Sequence, residues 1–298
     1  MTGANSGLGF HTSLELARRG AQVTMAVRDT AKGAEAAARI TAELAGGTGS
    51  VEVAALDLAD LASVRAFVAG RVGERLDLLV NNAGVMAIPR RITVDGFEMQ
   101  LATNHLGHMA LTLGLLPALV RTGEQARTTR VVTVSSNAHK MGRIQLDDLM
   151  GESGYKPWGA YGQSKLANLL FTLELQRRLT LDDLPVAAYA AHPGFASTNL
   201  QAAGPEMSGS AFRARLADLT NKLIAQPAEM GALPTLFAAT EPGLAPGSYT
   251  GPDGFLEQRG HPKVVTTTSA GRDVEMAGRL WAASEELIGL RYADVLPA

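Results

Sequence analysis

The sequence predicts an α/β protein built on a doubly wound parallel sheet. Two observations predict it. Short apolar runs alternate with stretches of helical spacing along the chain, as strands do when helices carry the crossovers. The chain also opens on Gly3, Gly7 and Gly9, which run straight into a helical pattern. Its 298 residues, 46% apolar and 19% charged, suit one large domain or two small ones.

The glycine turn comes first. Gly3, Gly7 and Gly9 let a pyrophosphate approach the backbone, and Leu8, Leu14, Leu16 and Ala17 mark the helix that follows. Its N-terminus favours an anion. The alternative is an ordinary glycine-rich loop. Gly20-Ala21 leads into an extended run, Val23–Val27, closed by Arg28-Asp29. At this point an acidic residue would hold adenosine ribose hydroxyls, whereas an Arg would accommodate a 2′-phosphate. Asp29 lies 20 residues beyond Gly9, a spacing that suits NAD. Arg28 directly follows the last apolar residue of the strand and, with Lys32 in support, tips the reading to NADP. The alternative is an exposed Arg and Lys in a polar turn.

Residues 30–45 read as a helix ended by Gly46-Gly47. Val51–Leu56 reads as a strand closed by Asp57-Leu58, and Asp60 as the cap of a helix through about Gly73. Leu76–Val80 is a short strand running into the turn Asn81-Asn82-Ala83-Gly84. Ligands bind at such strand ends in parallel sheets. A long helix is predicted over Asp95–Val120, carrying Asn104-His105-Leu106-Gly107-His108. His105 and His108 lack a third ligand at useful spacing, so they read as polar positions along a helix and no metal is expected.

Arg130–Val134 is the next strand, ending in Ser135-Ser136, and residues 137–159 form a glycine-rich excursion containing Trp158. Pro185–Ala191 is a strand before His192-Pro193-Gly194. Residues 195–226 include Phe195, Leu200, Met207, Phe212 and Leu216 with few charges. They suit a mobile apolar cover over a pocket, or an ordinary surface helix pair. A helix over 228–240, a short strand at Ser248–Gly251 and a closing helix at Asp273–Gly289 complete the chain.

Composition narrows the function classes. Net charge is −2 and no basic run exists, so nothing points to nucleic acid or an anionic membrane surface. The absence of cysteine excludes disulfides and thiolate metal sites. No apolar run reaches the ~18 residues of a membrane span, and the start lacks the basic and apolar regions of a secretory signal. The expectation is a soluble cytoplasmic protein.

The chemistry concentrates at Tyr161-Gly162-Gln163-Ser164-Lys165. Tyr161 and Lys165 are four apart and share a helix face. Leu166, Leu169, Leu170 and Leu173 continue the helical spacing. A cation beside a phenol favours the phenolate, so the phenol could exchange a proton near neutral pH. By itself the pair is also what two surface residues could show by chance.

Taken in order, these stretches resemble the short-chain dehydrogenase/reductase family over nearly the whole chain, and the resemblance implies that 1–298 is a single Rossmann-type NAD(P)-binding domain. Thr2-Gly3-Ala4-Asn5-Ser6-Gly7-Leu8-Gly9 resembles its phosphate loop. Asp57-Leu58 matches its adenine-contacting pair, and Asn82, Ala83 and Gly84 fall in its sheet-stabilising turn. Asn104, Ser136, Tyr161 and Lys165 fall on its catalytic tetrad, and Pro193-Gly194 with Thr198 on its nicotinamide-side loop. Residues 26–33, 104–108, 135–139 and 161–171 are most similar to the retinol dehydrogenase-like and WW-domain-oxidoreductase-like branch.

The resemblance implies hydride transfer between NADP(H) and a carbonyl or alcohol carbon of a mostly apolar small molecule. Tyr161 would act as general acid/base, Ser136 would bond the substrate oxygen, Lys165 would lower the Tyr161 pKa and bind the nicotinamide ribose, and Asn104 would hold a relay water. A homodimer or tetramer is the expected assembly. The alternative function is an NADP-binding regulator without turnover. One departure stands out. The first strand of this fold precedes the glycine loop, and here only Met1-Thr2 does. That strand is expected to be missing from the sequence, with the true start some 10–20 residues upstream, because a central strand is ~5–6 residues long.

Overall fold

The structure, a computed structural model, describes residues 1–44, 46–125, 129–195 and 226–296. Parallel strands β1 (Gln22–Val27) and β2 (Ser50–Ala55) form one sheet. A second sheet runs β3 (Leu78–Asn81), β4 (Thr129–Val134), β5 (Val186–Ala191), β6 (Tyr249–Pro252) and β7 (Pro262–Val264). All pairs are parallel except β6–β7. Residues 1–3 lie between the two sheets. Thr2 bridges Ala26 in parallel register, the Gly3 N–H donates to the Ala26 carbonyl at 2.9 Å, and the Thr2 N–H donates to the Val80 carbonyl at 3.1 Å. Three residues thus fill the position expected of a first strand, and the carboxyl ends of β1 and β3 meet across them.

Helices flank the sheet. Around β1 stand α1 (Gly7–Arg18) and α2 (Thr30–Glu43), followed by α3 (Leu61–Arg71). Asp29 caps α2 through the Lys32 N–H, and Asp60 caps α3 through the N–H groups of Ala62 and Ser63. The predicted helix over Asp95–Val120 is shifted and interrupted. Asp95-Gly96 is instead a turn, with Gly96 at φ +85, and the Asp95 carboxylate accepts from the Leu61 N–H of α3. Helix begins after Glu98, whose side chain caps the N–H groups of Gln100 and Leu101. The single turn α4 (Met99–Leu101) passes through a π turn (Ala102–Leu106) into α5 (Gly107–Gln125).

The excursion predicted over 137–159 is shorter and partly ordered. Short 3-10 turns sit at Asn137–Met141 and Leu146–Asp148. Pro157 then opens α6 (Pro157–Leu181) at a first-turn position, where its missing N–H costs nothing. Trp158 is therefore helical. After α7 (Ala228–Thr240), the antiparallel β7 and the terminal turn α9 (Tyr292–Val295), neither of them foreseen, flank α8 (Val274–Ile288). Asp273 caps α8, and Gly289, at φ +65, ends it. The predicted cover and its apolar residues, apart from Phe195 and Gln226 at its borders, lie outside the described residues, as does Thr198.

The main core lies between α5, α6 and α8. Phe171 stacks on Trp281 with ring centres 5.7 Å apart, among buried Leu106, Leu116, Leu170 and Leu175. Helix α6 is buried on almost every face from Tyr161 to Leu175. Its polar residues in that stretch are consequently held inside the protein, and the sheet's carboxyl edge is what they meet.

Candidate active site

Two ends of one cleft form at the carboxyl edge of the sheet. At the first end, α1 starts after Ser6, whose side chain makes no capping bond. The first-turn amides thus keep donors for an anion. Gly3 and Gly7 hold φ of +61 and +52, and a Cβ on Gly9 would collide with the Gly3 carbonyl oxygen. This uncapped, side-chain-free cradle fits a dinucleotide pyrophosphate, with Asn5, Ser6 and Leu8 around it.

Thr2 is the hub behind that cradle. Its hydroxyl oxygen accepts from the N–H groups of Asn82 and Ala83, both at 2.9 Å, and donates to His108 Nε2 at 2.9 Å. The Asn82 amide donates to the Thr2 carbonyl at 2.8 Å. Burial pushes the His108 imidazole down to about 3, so the ring is neutral and its Nδ1–H donates to the Asn104 carbonyl at 3.0 Å. His105 is likewise buried, with Nε2 at 2.9 Å from the Ser284 hydroxyl. Neither histidine is a plain polar position along a helix: each is a buried connector. Among the described residues no three side chains could hold a metal ion.

At the other end the four predicted catalytic residues come together. The π turn places Asn104, fully buried, beneath the turn that follows Gly84. Its Oδ1 accepts from the Val85 N–H at 2.8 Å, and its Nδ2 donates to the Val85 carbonyl and to Ser164 Oγ, both at 2.9 Å. Ser164 Oγ donates in turn to the Tyr161 carbonyl at 2.8 Å. In this structure, then, Asn104 straps the turn after β3 to α6. Gly84 lines the same space, because a Cβ there would stand 3.0 Å from Asn104 Oδ1 and 3.5 Å from Lys165 Nζ.

Lys165 Nζ donates to the Val134 carbonyl at 3.0 Å, and Asn168 Nδ2 donates to the same oxygen at 3.1 Å. Burial lowers the ammonium to about 8. Tyr161 is buried too, and burial raises its phenol to about 12, against an opposing pull from the Ser136 hydroxyl. The sequence-based expectation that Lys165 lowers the Tyr161 pKa is corrected here. The ammonium stands 5.9 Å from the ring centre and is turned onto β4, so desolvation governs the phenol. Ser136 takes an extended backbone at the end of β4, and its Oγ accepts from the Ala138 N–H at 3.2 Å. His139 Nδ1–H donates to the Ser136 carbonyl at 2.6 Å. Trp158 stands edge-on to Tyr161, ring centres 6.0 Å apart, with half its surface exposed.

The remaining predicted positions follow the carboxyl ends of β1, β2 and β5. Arg28 is exposed at the end of β1. Asp29 accepts from the Lys32 N–H at 3.1 Å, and its carboxylate lies 3.6 Å from Lys32 Nζ. Asp57 closes its own turn on the Ala59 N–H, and Leu58 is buried. Pro193-Gly194 follows β5, with Gly194 at φ +65 against the Gln258 carbonyl. Thr2 and Ser164 were not singled out from the sequence, and His108 was read only as a polar position along a helix. Ser164 lies inside the Tyr161–Lys165 stretch, and its spacing put it on the helix; its partner Asn104, 60 residues away, could not be seen.

The short chain dehydrogenase family model matches residues 1–208. Mouse (Mus musculus) polyprenol dehydrogenase is 41% identical over 99% of this chain and 84% of its own length. Human (Homo sapiens) retinol dehydrogenase 13 is 41% identical over 99% of this chain and 85% of its own. Among solved structures, an uncharacterised protein from Mycobacterium Paratuberculosis superposes with a TM-score of 0.77 at 49% identity, covering 98% of this chain and 92% of that one. The Pseudomonas aeruginosa RhlG/NADP active-site complex gives a TM-score of 0.61 at 25% identity, covering 83% and 91%. These likenesses establish that the chain belongs to the short-chain dehydrogenase/reductase family, in its retinol dehydrogenase-like branch, as an NAD(P)-dependent oxidoreductase of alcohol and carbonyl groups.

Proposed function

We propose that the protein is an NADP(H)-preferring oxidoreductase of mostly apolar carbonyl and alcohol compounds, with Tyr161 as general acid/base. The observation that carries this reading is the meeting of Ser136, Tyr161 and Lys165 beside the uncapped glycine cradle. The bound nicotinamide supplies or accepts the hydride. Residues 3–9 hold its pyrophosphate, and Pro193, Gly194 and Lys165 border its other end. Ser136 hydrogen-bonds the substrate oxygen, and the Tyr161 hydroxyl gives that oxygen a proton in reduction or takes one in oxidation. Such positioned acid–base groups typically contribute ~10²–10⁴ in rate.

The cofactor preference rests on charge. Asp29 is engaged as the cap of α2, which draws it away from ribose hydroxyls. The Arg28 guanidinium has no partner among the described residues and matches a 2′-phosphate. The apolar substrate class is supported by Trp158 beside Tyr161 and by exposed Met141 in the turn that Ser136 opens. The relatives named for retinol and polyprenol agree with it. The test is loss of NADPH absorbance against a panel of ketones and aldehydes, with NADH in parallel. Turnover of apolar carbonyls, faster with NADPH, is expected. NADPH binding without turnover of any member, or turnover of small charged acids alone, contradicts it.

A further inference from the structure

A polar clamp outside the tetrad joins the two loops that border the nicotinamide end. Its centre is Glu257, in the turn after β6. Leu256 and Glu257 hold φ of +51 and +57. Two successive non-glycine residues take the left-handed region only where their surroundings impose it. Here the imposed conformation brings the Glu257 side chain inward. Its Oε2 lies 3.1 Å from Lys140 Nζ and 3.4 Å from His192 Nε2. Its carbonyl accepts from Asn137 Nδ2 at 3.3 Å. Asn137 and Lys140 belong to the turn that Ser136 opens.

The same turn grips the opposite loop. The Gln258 carbonyl accepts from the Phe195 N–H at 2.7 Å. His192, fully buried, accepts at Nδ1 from the Gly194 N–H at 3.2 Å. That bond fixes the tautomer, so the ring proton sits on Nε2, a buried nitrogen without a hydrogen-bond partner, and the Glu257 carboxylate stands 3.4 Å from it. Gln226 adds a strap, donating to the Pro193 carbonyl at 2.8 Å and accepting from the Gly260 N–H at 3.1 Å. Bonds therefore run from the Ser136 turn through Asn137 and Lys140 to Glu257, and from the adjacent Gln258 carbonyl to Phe195, with His192 in close contact beside Glu257.

We infer that Glu257 is a positioning residue that holds the Ser136 turn and the Pro193-Gly194 loop in register for the nicotinamide. This rests on the functional reading above. Because Lys140 and His192 meet the same oxygen, a Gln at 257 can keep both contacts through its carbonyl oxygen, whereas Ala keeps neither. Gly keeps neither but suits the left-handed backbone.

The test compares the parent with Glu257→Gln, Glu257→Ala and Glu257→Gly by NADPH affinity, from nicotinamide fluorescence, and by melting temperature. Glu257→Ala is expected to weaken NADPH about tenfold, the worth of one charge-assisted hydrogen bond. Glu257→Gln should recover most of that loss. Glu257→Gly should bind as poorly as Glu257→Ala yet melt higher. Affinity that follows melting temperature across the variants, or parent-like affinity in both Glu257→Ala and Glu257→Gly, overturns the inference. Lys140→Met reports on the same clamp if Glu257→Ala fails to fold, and parent-like NADPH affinity there overturns it as well. A parent that binds neither NADPH nor NADH overturns the functional reading instead, and the inference with it.

Discussion

The two ends of the cleft are built in opposite ways. At the tetrad end Asn104, Tyr161 and Lys165 are buried and Ser136 is partly buried. Asn104 is bonded on both atoms of its amide, Lys165 is turned onto the Val134 carbonyl, and Tyr161 lies under Trp158. At the adenosine end Arg28, Asp29 and Lys32 stand in solvent, and the contact between Asp29 and Lys32 is an exposed pair of small worth. On the proposed reading, chemistry would be fixed by packing, and cofactor choice by a few surface charges. Substitutions at the buried end should disturb stability and turnover together, whereas those at the exposed end should move affinity alone.

The largest effect is expected where backbone meets backbone. Gly9→Val should weaken both NADPH and NADH by more than about a hundredfold, because its Cβ would collide with the Gly3 carbonyl. Isothermal titration checks it. Equal binding by the variant would remove the cradle from the account.

Lys165→Met tests the cost of burying the tetrad. Turnover should fall by about 10²–10⁴, the usual share of a positioned acid–base group. Stability should move the other way. Folding lowers this ammonium from its ordinary 10.5 to about 8. Below pH 8 both folded and unfolded chains carry the proton, so the full burial cost is present. Between about 8 and 10.5 the unfolded chain binds more proton than the folded one, and stability of the parent rises with pH. The variant should therefore be more stable by an amount on the order of 3 kcal/mol at pH 7, an advantage that shrinks as pH climbs through that window. Urea melts at several pH values read this directly. The Val134 carbonyl keeps Asn168 as a donor, so no orphaned acceptor masks the gain.

Arg28→Ala probes the exposed end. NADP(H) should weaken about tenfold to a hundredfold, and NAD(H) hardly at all, since only the 2′-phosphate pairs with a guanidinium. Equal loss of both cofactors would make Asp29 the selecting residue. The smallest change is expected for Ser164→Ala. It removes one link between Asn104 and α6 at a cost of about 1 kcal/mol in stability, with a severalfold drop in turnover and unchanged cofactor affinity. Parent-like stability and turnover would show that the strap is idle.

The same contrast explains what could be read from sequence. Residues acting within a few positions of one another were legible: the glycine cradle, the Tyr161–Lys165 face, the Asp60 cap and most strands. Contacts that join distant stretches were not. The Thr2 hub reaches 80 residues to Asn82 and 106 to His108, and Lys140 reaches 117 to Glu257. No local pattern encodes either. The helix expected at Asp95 failed for a local reason that was visible: Asp95-Gly96 is a turn signal, and apolar spacing was given more weight. The antiparallel β7 has only three residues, two of them exposed, so it carried neither length nor alternation. The phenol is the converse case. Four-residue spacing put Tyr161 and Lys165 on one face, but spacing does not report burial, and burial raises the tyrosine.

The central claim is that Tyr161 moves the proton. The most direct measurement is Tyr161→Phe, with NADPH consumption on the best carbonyl of the panel and NADPH binding measured side by side. Turnover should fall by at least about 10², with cofactor affinity close to that of the parent. Turnover within a factor of about ten of the parent, at equal affinity, would contradict it.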